Sequence, residues 1–143
     1  MEFIRHITNE EIEKYLPEWS WLVPNDATPL FITVFGDWVF GNPDGSLSAL
    51  SVLEGVYETI AKNAEEYNRL KQSEKWLDEI FILNWYPIAL ENDIQPKENE
   101  CIGWKIHPIM GGEFSVSNLQ IFSMLVYQSL MSQLHARIQG AVY

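Results

Sequence analysis

The sequence predicts an α+β fold: one domain over residues 1–143, with a mostly antiparallel sheet, helices packed on it and a helix closing the chain. Three observations predict it. A chain of 143 residues that is 47% apolar is long enough for one domain and one buried core without disulfide or metal staples. The apolar spacing is helical before residue 20 and alternating from Leu30 onward. Asn42-Pro43-Asp44-Gly45 is a turn signal set between two strand-like runs, since Pro presets φ and Gly accepts a positive φ.

Taken in order, Thr8-Asn9-Glu10-Glu11 reads as a capping box that starts a helix over 9–18, with Ile7 and Ile12 as its staple and Ile12, Tyr15, Leu16 and Trp19 as its apolar stripe. A loop follows through Pro24 and Pro29. Residues 30–35 are apolar on both faces, as a central strand requires. Gly36-Asp37 marks a bulge or bend, and Trp38-Val39-Phe40 continues extended. The turn at Asn42–Gly45 then sends Leu47, Ala49 and Ser51 back as the partner strand, so residues 30–53 read as a meander.

Residues 55–60 have strand character. Asn63 with Glu66 caps a helix carrying Ala64, Tyr67 and Leu70, and Ser73 starts another with an apolar face of Trp76, Leu77, Ile80, Phe81 and Leu83 up to Pro87. Glu91–Glu100 reads as a charged loop, Cys101–Ile106 as a strand, and His107–Gly112 as a glycine-containing loop. Residues 114–136 hold no Asp, Glu, Lys or Arg, but five Ser, three Gln and one Asn make them a poor lipid-facing span. The expectation is a strand near 118–122 and a helix at 123–139 that buries Val126, Leu130, Leu134 and Ile138.

Charge narrows the function. Nine Lys+Arg against twenty Asp+Glu give −11, so a phosphate backbone or an anionic membrane is repelled. Residues 1–67 hold twelve acids and three bases, net −9, whereas 101–143 hold Glu113 against Lys105 and Arg137, net +1. Such a field keeps a protein soluble, and it also steers a basic protein partner. The lone Cys101 gives no sign of secretion, and the first residues lack the basic start and apolar stretch of a signal peptide, so a cytoplasmic location is expected.

Motifs for catalysis are missing. There is no Gly-rich phosphate loop, no HExxH, no GxSxG and no CxxC. His6, His107 and His135 are far apart in sequence. His107 beside Pro108 reads either as part of a catalytic loop or as a histidine satisfied by backbone. Cys101 with His107 or His135 reads either as a nucleophile and base or, given its apolar strand pattern, as an inert buried thiol. No ligand spacing points to a metal, and no cofactor is expected.

Two segments resemble a known family. Phe35-Gly36-Asp37-Trp38-Val39-Phe40 with the acidic turn after it is similar to a hairpin of the type VI secretion DNase immunity proteins, which pair a GAD-like region with a C-terminal domain. Glu100-Cys101-Ile102-Gly103-Trp104-Lys105, then Pro108-Ile109-Met110-Gly111-Gly112-Glu113 and Asn118-Leu119, followed by a Gln-rich helix, resembles that C-terminal domain. The likeness spans 30–139 loosely and 100–139 tightly. Longer members carry an N-terminal region of which Tyr15-Leu16-Pro17 and Trp19 are at most a remnant.

The resemblance implies an inhibitor that binds a cognate toxin, a basic nuclease in particular, through an acidic surface, with no enzymatic activity of its own. The alternative is a non-catalytic adaptor or regulatory binding module of the same fold. Asp37, Asp44, Glu54 and Glu58, in or beside the hairpin, are the expected partner-facing acids. Gly36, Gly103, Trp104, Gly111, Gly112 and Asn118 are read as fold determinants. Neither composition nor motifs fix the oligomeric state.

Overall fold

Five consecutive strands pair antiparallel in chain order in the computed structural model, which describes residues 2–141. They are β1 (Ile4–His6), β2 (Thr28–Thr33), β3 (Trp38–Gly41), β4 (Leu47–Ser51) and β5 (Val56–Ala61). The expected meander is present, with its second turn at Asn42–Gly45. Gly36-Asp37 is neither a bulge nor a bend within one strand. The chain reverses there: Gly36 takes φ +86°, its N–H donates to Thr33 O at 3.0 Å, and β2 pairs with β3. The apolar run on either side conceals the turn, because Val34 and Phe35 are buried although they lie outside the strands. β1 was not expected, since three residues are too few to show a period.

The capping box forms as expected. The Glu11 N–H donates to Thr8 Oγ1 at 3.2 Å, and the Thr8 N–H donates to Glu11 Oε1 at 3.1 Å. It starts α1 (Asn9–Tyr15), which Pro17 turns into a 3-10 helix over Leu16–Trp19, so the α-helix is shorter than 9–18. Arg5 on β1 donates to both Glu11 oxygens at 2.8 and 2.7 Å, which joins the edge strand to the first helix.

α2 (Ala64–Leu70) and α3 (Glu74–Phe81) start where expected, with Asn63 and Ser73 accepting from the Glu66 and Trp76 N–H groups. A further helix, α4 (Trp85–Glu91), was missed because Pro87 reads as a stop. Pro87 is the third residue of that helix, where an amide N–H would have no intrahelical partner to lose. β6 (Glu100–Trp104) and β7 (Leu119–Ser123) form a separate two-stranded sheet, and α5 (Met124–Ile138) follows directly. The Ile102 N–H donates to Val34 O at 2.8 Å, tying the small sheet to the large one.

The large sheet is covered on both faces. Ile32, Trp38, Phe40 and Leu50 pack towards Trp19, Met124, Tyr127 and Met131. Val39, Leu47 and Ala49 pack the other way, with Tyr67 of α2 and Phe81 of α3. A third cluster joins Val34 and Phe35 to Ala89, Ile102, Trp104 and Leu119.

α5 is present but turned relative to expectation. Met124, Tyr127, Gln128, Met131, Ser132 and His135 face inward, while Val126, Leu130 and Ile138 are about half exposed, at 50%, 48% and 50%, and Leu134 is only partly buried. The apolar i, i+4 series therefore lies outside the core. The polar residues are buried instead because each finds a partner there. Gln128 Oε1 accepts from Trp19 and Trp38, Ser132 Oγ donates to Glu18 O and accepts from Trp21, and His135 bonds Val52 O.

Candidate functional site

The β4–β5 turn gathers three buried titratable groups, Asp37, His107 and His135. Asp37, 4% exposed, accepts from the Val52 N–H at 2.9 Å. The Val52 carbonyl accepts from His135 Nε2 at 2.9 Å, and the next carbonyl, of Leu53, accepts from His107 Nε2 at 2.7 Å. A carbonyl can only accept, so both Nε2 atoms carry the proton. His107 Nδ1 accepts from the Ile109 N–H at 3.1 Å and is therefore unprotonated. The two imidazoles meet edge to face with centroids 5.4 Å apart. Gly55 is required beneath them, since a Cβ there would lie 2.3 Å from the His135 ring.

Burial raises Asp37 to about 7, against the lowering effect of the Val52 N–H, with Glu54 raising it slightly. Burial also lowers His135, against the raising effect of the Val52 carbonyl, and the neighbouring His107 lowers it further. A cavity of about 30 Å³ adjoins Asp37, Val52 and Tyr127, room for about one water molecule. None of this presents reactive groups to a substrate. Both histidines are held by backbone, and Cys101, 0% exposed, has its thiol pushed far up by burial. Among the described residues no three His, Cys, Asp or Glu side chains gather as metal ligands would, and no helix is long and apolar enough to cross a membrane.

The residues that carry the family resemblance are placed around this turn and the small sheet. A Cβ on Gly36 would come within 3.0 Å of Gln128 Nε2. A Cβ on Gly103 would lie 2.4 Å from the Tyr127 ring and 2.8 Å from Phe122, so the glycine makes room for α5 and β7. Trp104 stands edge-on to Trp85 and Phe114, at 5.3 and 5.0 Å. Gly111 takes φ +92°, while Gly112 is needed for closeness, since its Cβ would lie 1.7 Å from Ile106 O. Asn118 clamps the same loop: its Nδ2 donates to Ile106 O and Glu113 O, both at 2.9 Å, and its Oδ1 accepts from the Ile106 N–H at 3.0 Å.

The four acids expected to face a partner do not form one cluster. Asp37 is inside, fixing the turn, and its burial removes it from any surface role. Asp44 is exposed at the β3–β4 tip, where Ser46 donates to it from backbone and hydroxyl at 2.9 and 2.6 Å and holds its carboxyl below the usual range. Glu54 is exposed on the β4–β5 turn, at the opposite end of β4, and Glu58 is exposed on edge strand β5 opposite Ala49.

The surface feature that sequence reasoning missed is apolar. Ten large hydrophobic side chains are exposed among the described residues, and eight fall between Ile106 and Ile138, a stretch whose only Asp, Glu, Lys or Arg residues are Glu113 and Arg137. The uncharged run at 114–136 was the available signal, but which helix face points outward is set by the docking of α5.

Residues 61–135, 75 of the 143, match the sequence profile described as T6SS immunity protein Tdi1, C-terminal. The match runs from the end of β5 to His135 on α5. No curated protein matches the chain. The crystal structure of Atu4351 from Agrobacterium tumefaciens is similar in fold, with a TM-score of 0.56 and 15% identity over 92% of this chain and 66% of that one. This chain thus spans just under two thirds of that protein's length.

Proposed function

Because the chain belongs to the T6SS immunity protein Tdi1 C-terminal family, we propose that it neutralises a cognate type VI effector by binding it directly. The proposed effector is a nuclease. The observation that carries this finer reading is charge. A nuclease cleft is basic because it must hold a polyanion, and a chain of net −11 with twelve acids against three bases in residues 1–67 is suited to occupy it. Asp44, Glu54 and Glu58 supply part of this field from exposed positions and steer the encounter. The inhibition proposed is steric and electrostatic occlusion, which needs no catalytic group on this chain.

The test is co-expression and co-purification with the toxin domain encoded by the adjacent gene, followed by a plasmid-degradation assay. The expected result is a stable complex, rescued growth and degradation abolished at equimolar inhibitor. Growth arrest that co-expression leaves unchanged, with no complex, would overturn the immunity reading. A complex with a toxin that leaves nucleic acid intact would overturn only the nuclease part.

A further inference from the structure

Helix α5 has two apolar sides and one core. Its inward side is fixed by bonds that no rotation of the helix could keep: Gln128 to Trp19, Trp38 and Gly36 O, Ser132 to Glu18 O, and His135 to Val52 O. Fixing that side leaves Val126, Leu130 and Ile138 about half exposed as a ridge on the outside, with Leu134 between them partly buried against the core. The His107 ring meets His135, on the inward side of the helix, and Ile109 and Met110 after it are 59% and 70% exposed. Large exposed apolar patches on a soluble protein mark surfaces that something covers.

We propose that this ridge is the anchor on which the effector docks. The inference rests on the immunity reading above and specifies its interface. The occupant is a protein surface with an apolar centre and a basic surround. Charge selects it over a second copy of this chain: self-pairing would bring two bodies of −11 together, whereas a basic partner is attracted by the acids and then held by the ridge. The ridge carries no acid and has one base, Arg137, beside Ile138, so the attraction comes from the acids elsewhere on the chain and the ridge contributes apolar contact. Long-range acids set the rate of encounter and the ridge sets the lifetime of the complex.

The experiment compares wild type, the triple variant Val126→Ser/Leu130→Ser/Ile138→Ser, and Leu90→Ser, an exposed apolar change on α4, for binding to the purified toxin domain encoded by the adjacent gene. Wild type and Leu90→Ser are expected to bind alike, while the triple variant loses about 100-fold or more in affinity, mostly in off-rate, with an unchanged unfolding midpoint. If the triple variant unfolds, the three single variants are read in the same way, each expected to lose about tenfold. Ridge variants that bind as tightly as wild type would overturn the ridge and leave the immunity reading standing. Failure of wild type itself to bind would overturn that reading and the ridge with it. A toxin-free dimer that the triple variant dissolves would assign the ridge to a second copy and overturn the proposal.

Discussion

Gln128 holds Trp19 across 109 residues of chain, with its Oε1 2.7 Å from the indole Nε1 and both residues fully buried. The same oxygen accepts from Trp38 at 3.0 Å, and the amide nitrogen donates to Gly36 O at 2.8 Å. One side chain on α5 thereby fixes the first helical segment, β3 and the β2–β3 turn. Gln128→Leu would strand two buried indole donors and a carbonyl. The expected cost is about 3 kcal/mol or more in urea unfolding. A loss under about 1 kcal/mol would show that the network is not stabilising.

The phase of α5 is tested by two neighbours. Met131 is 8% exposed and Leu130 is 48% exposed. Met131→Ala should cost about 2–5 kcal/mol, and Leu130→Ala should stay within about 0.5 kcal/mol of wild type. The reverse order in chemical denaturation would restore the phase expected from apolar spacing.

Three glycines of the small sheet and its loop should rank by what a methyl group meets. Gly111→Ala meets open space at φ +92° and should cost about 1–2 kcal/mol of backbone strain. Gly103→Ala forces the Tyr127 and Phe122 rings to move, for about 1–3 kcal/mol. Gly112→Ala meets the Ile106 carbonyl oxygen, which cannot move aside as a side chain can, and should be the worst of the three. Equal midpoints in thermal unfolding would contradict this ranking.

Asp37 makes stability depend on pH in a calculable direction. Its folded pKa, about 7, lies above that of an unfolded Asp, so between about pH 4 and 7 the folded state binds the extra proton. The stabilisation it contributes is complete below the unfolded pKa and is lost as pH rises through 7. Asp37→Asn keeps an oxygen for the Val52 N–H and removes that dependence. It should be near neutral below pH 4 and stabilising at pH 8 by up to about 4 kcal/mol, read by urea unfolding at the two pH values. The same effect at both would show that Asp37 is not charged at pH 8.

Association with the effector should be salt-sensitive. Asp44→Asn with Glu58→Gln should lower the on-rate more than it raises the off-rate, and higher ionic strength should do the same as the field contracts to about 8 Å at physiological salt. Stability should barely change, since both carboxylates are exposed. An on-rate independent of salt would remove steering and leave the apolar ridge as the whole interface.

The sequence by itself determined the local structure: the Thr8–Glu11 capping box, the Asn42–Gly45 turn, the Asn63 and Ser73 caps, the meander and the closing helix. Each depends on residues within a few positions of one another, where backbone donors and φ preferences are decided locally. It also carried the family signature, and the acid-rich first half of the chain. Tertiary structure decided the rest. Asp37 reads as a surface acid until Val52, fifteen residues on, offers it an N–H inside the protein. His107 and His135 read as unrelated until two adjacent carbonyls of one turn bind both. On α5, apolar spacing points Val126, Leu130, Leu134 and Ile138 inward, but partners for Gln128, Ser132 and His135 exist only inside. Turning the apolar series inward would put those three side chains in water. It would also strand the indole N–H groups of Trp19 and Trp38 and the carbonyls of Gly36, Glu18 and Val52, which costs more than leaving Val126, Leu130 and Ile138 half exposed.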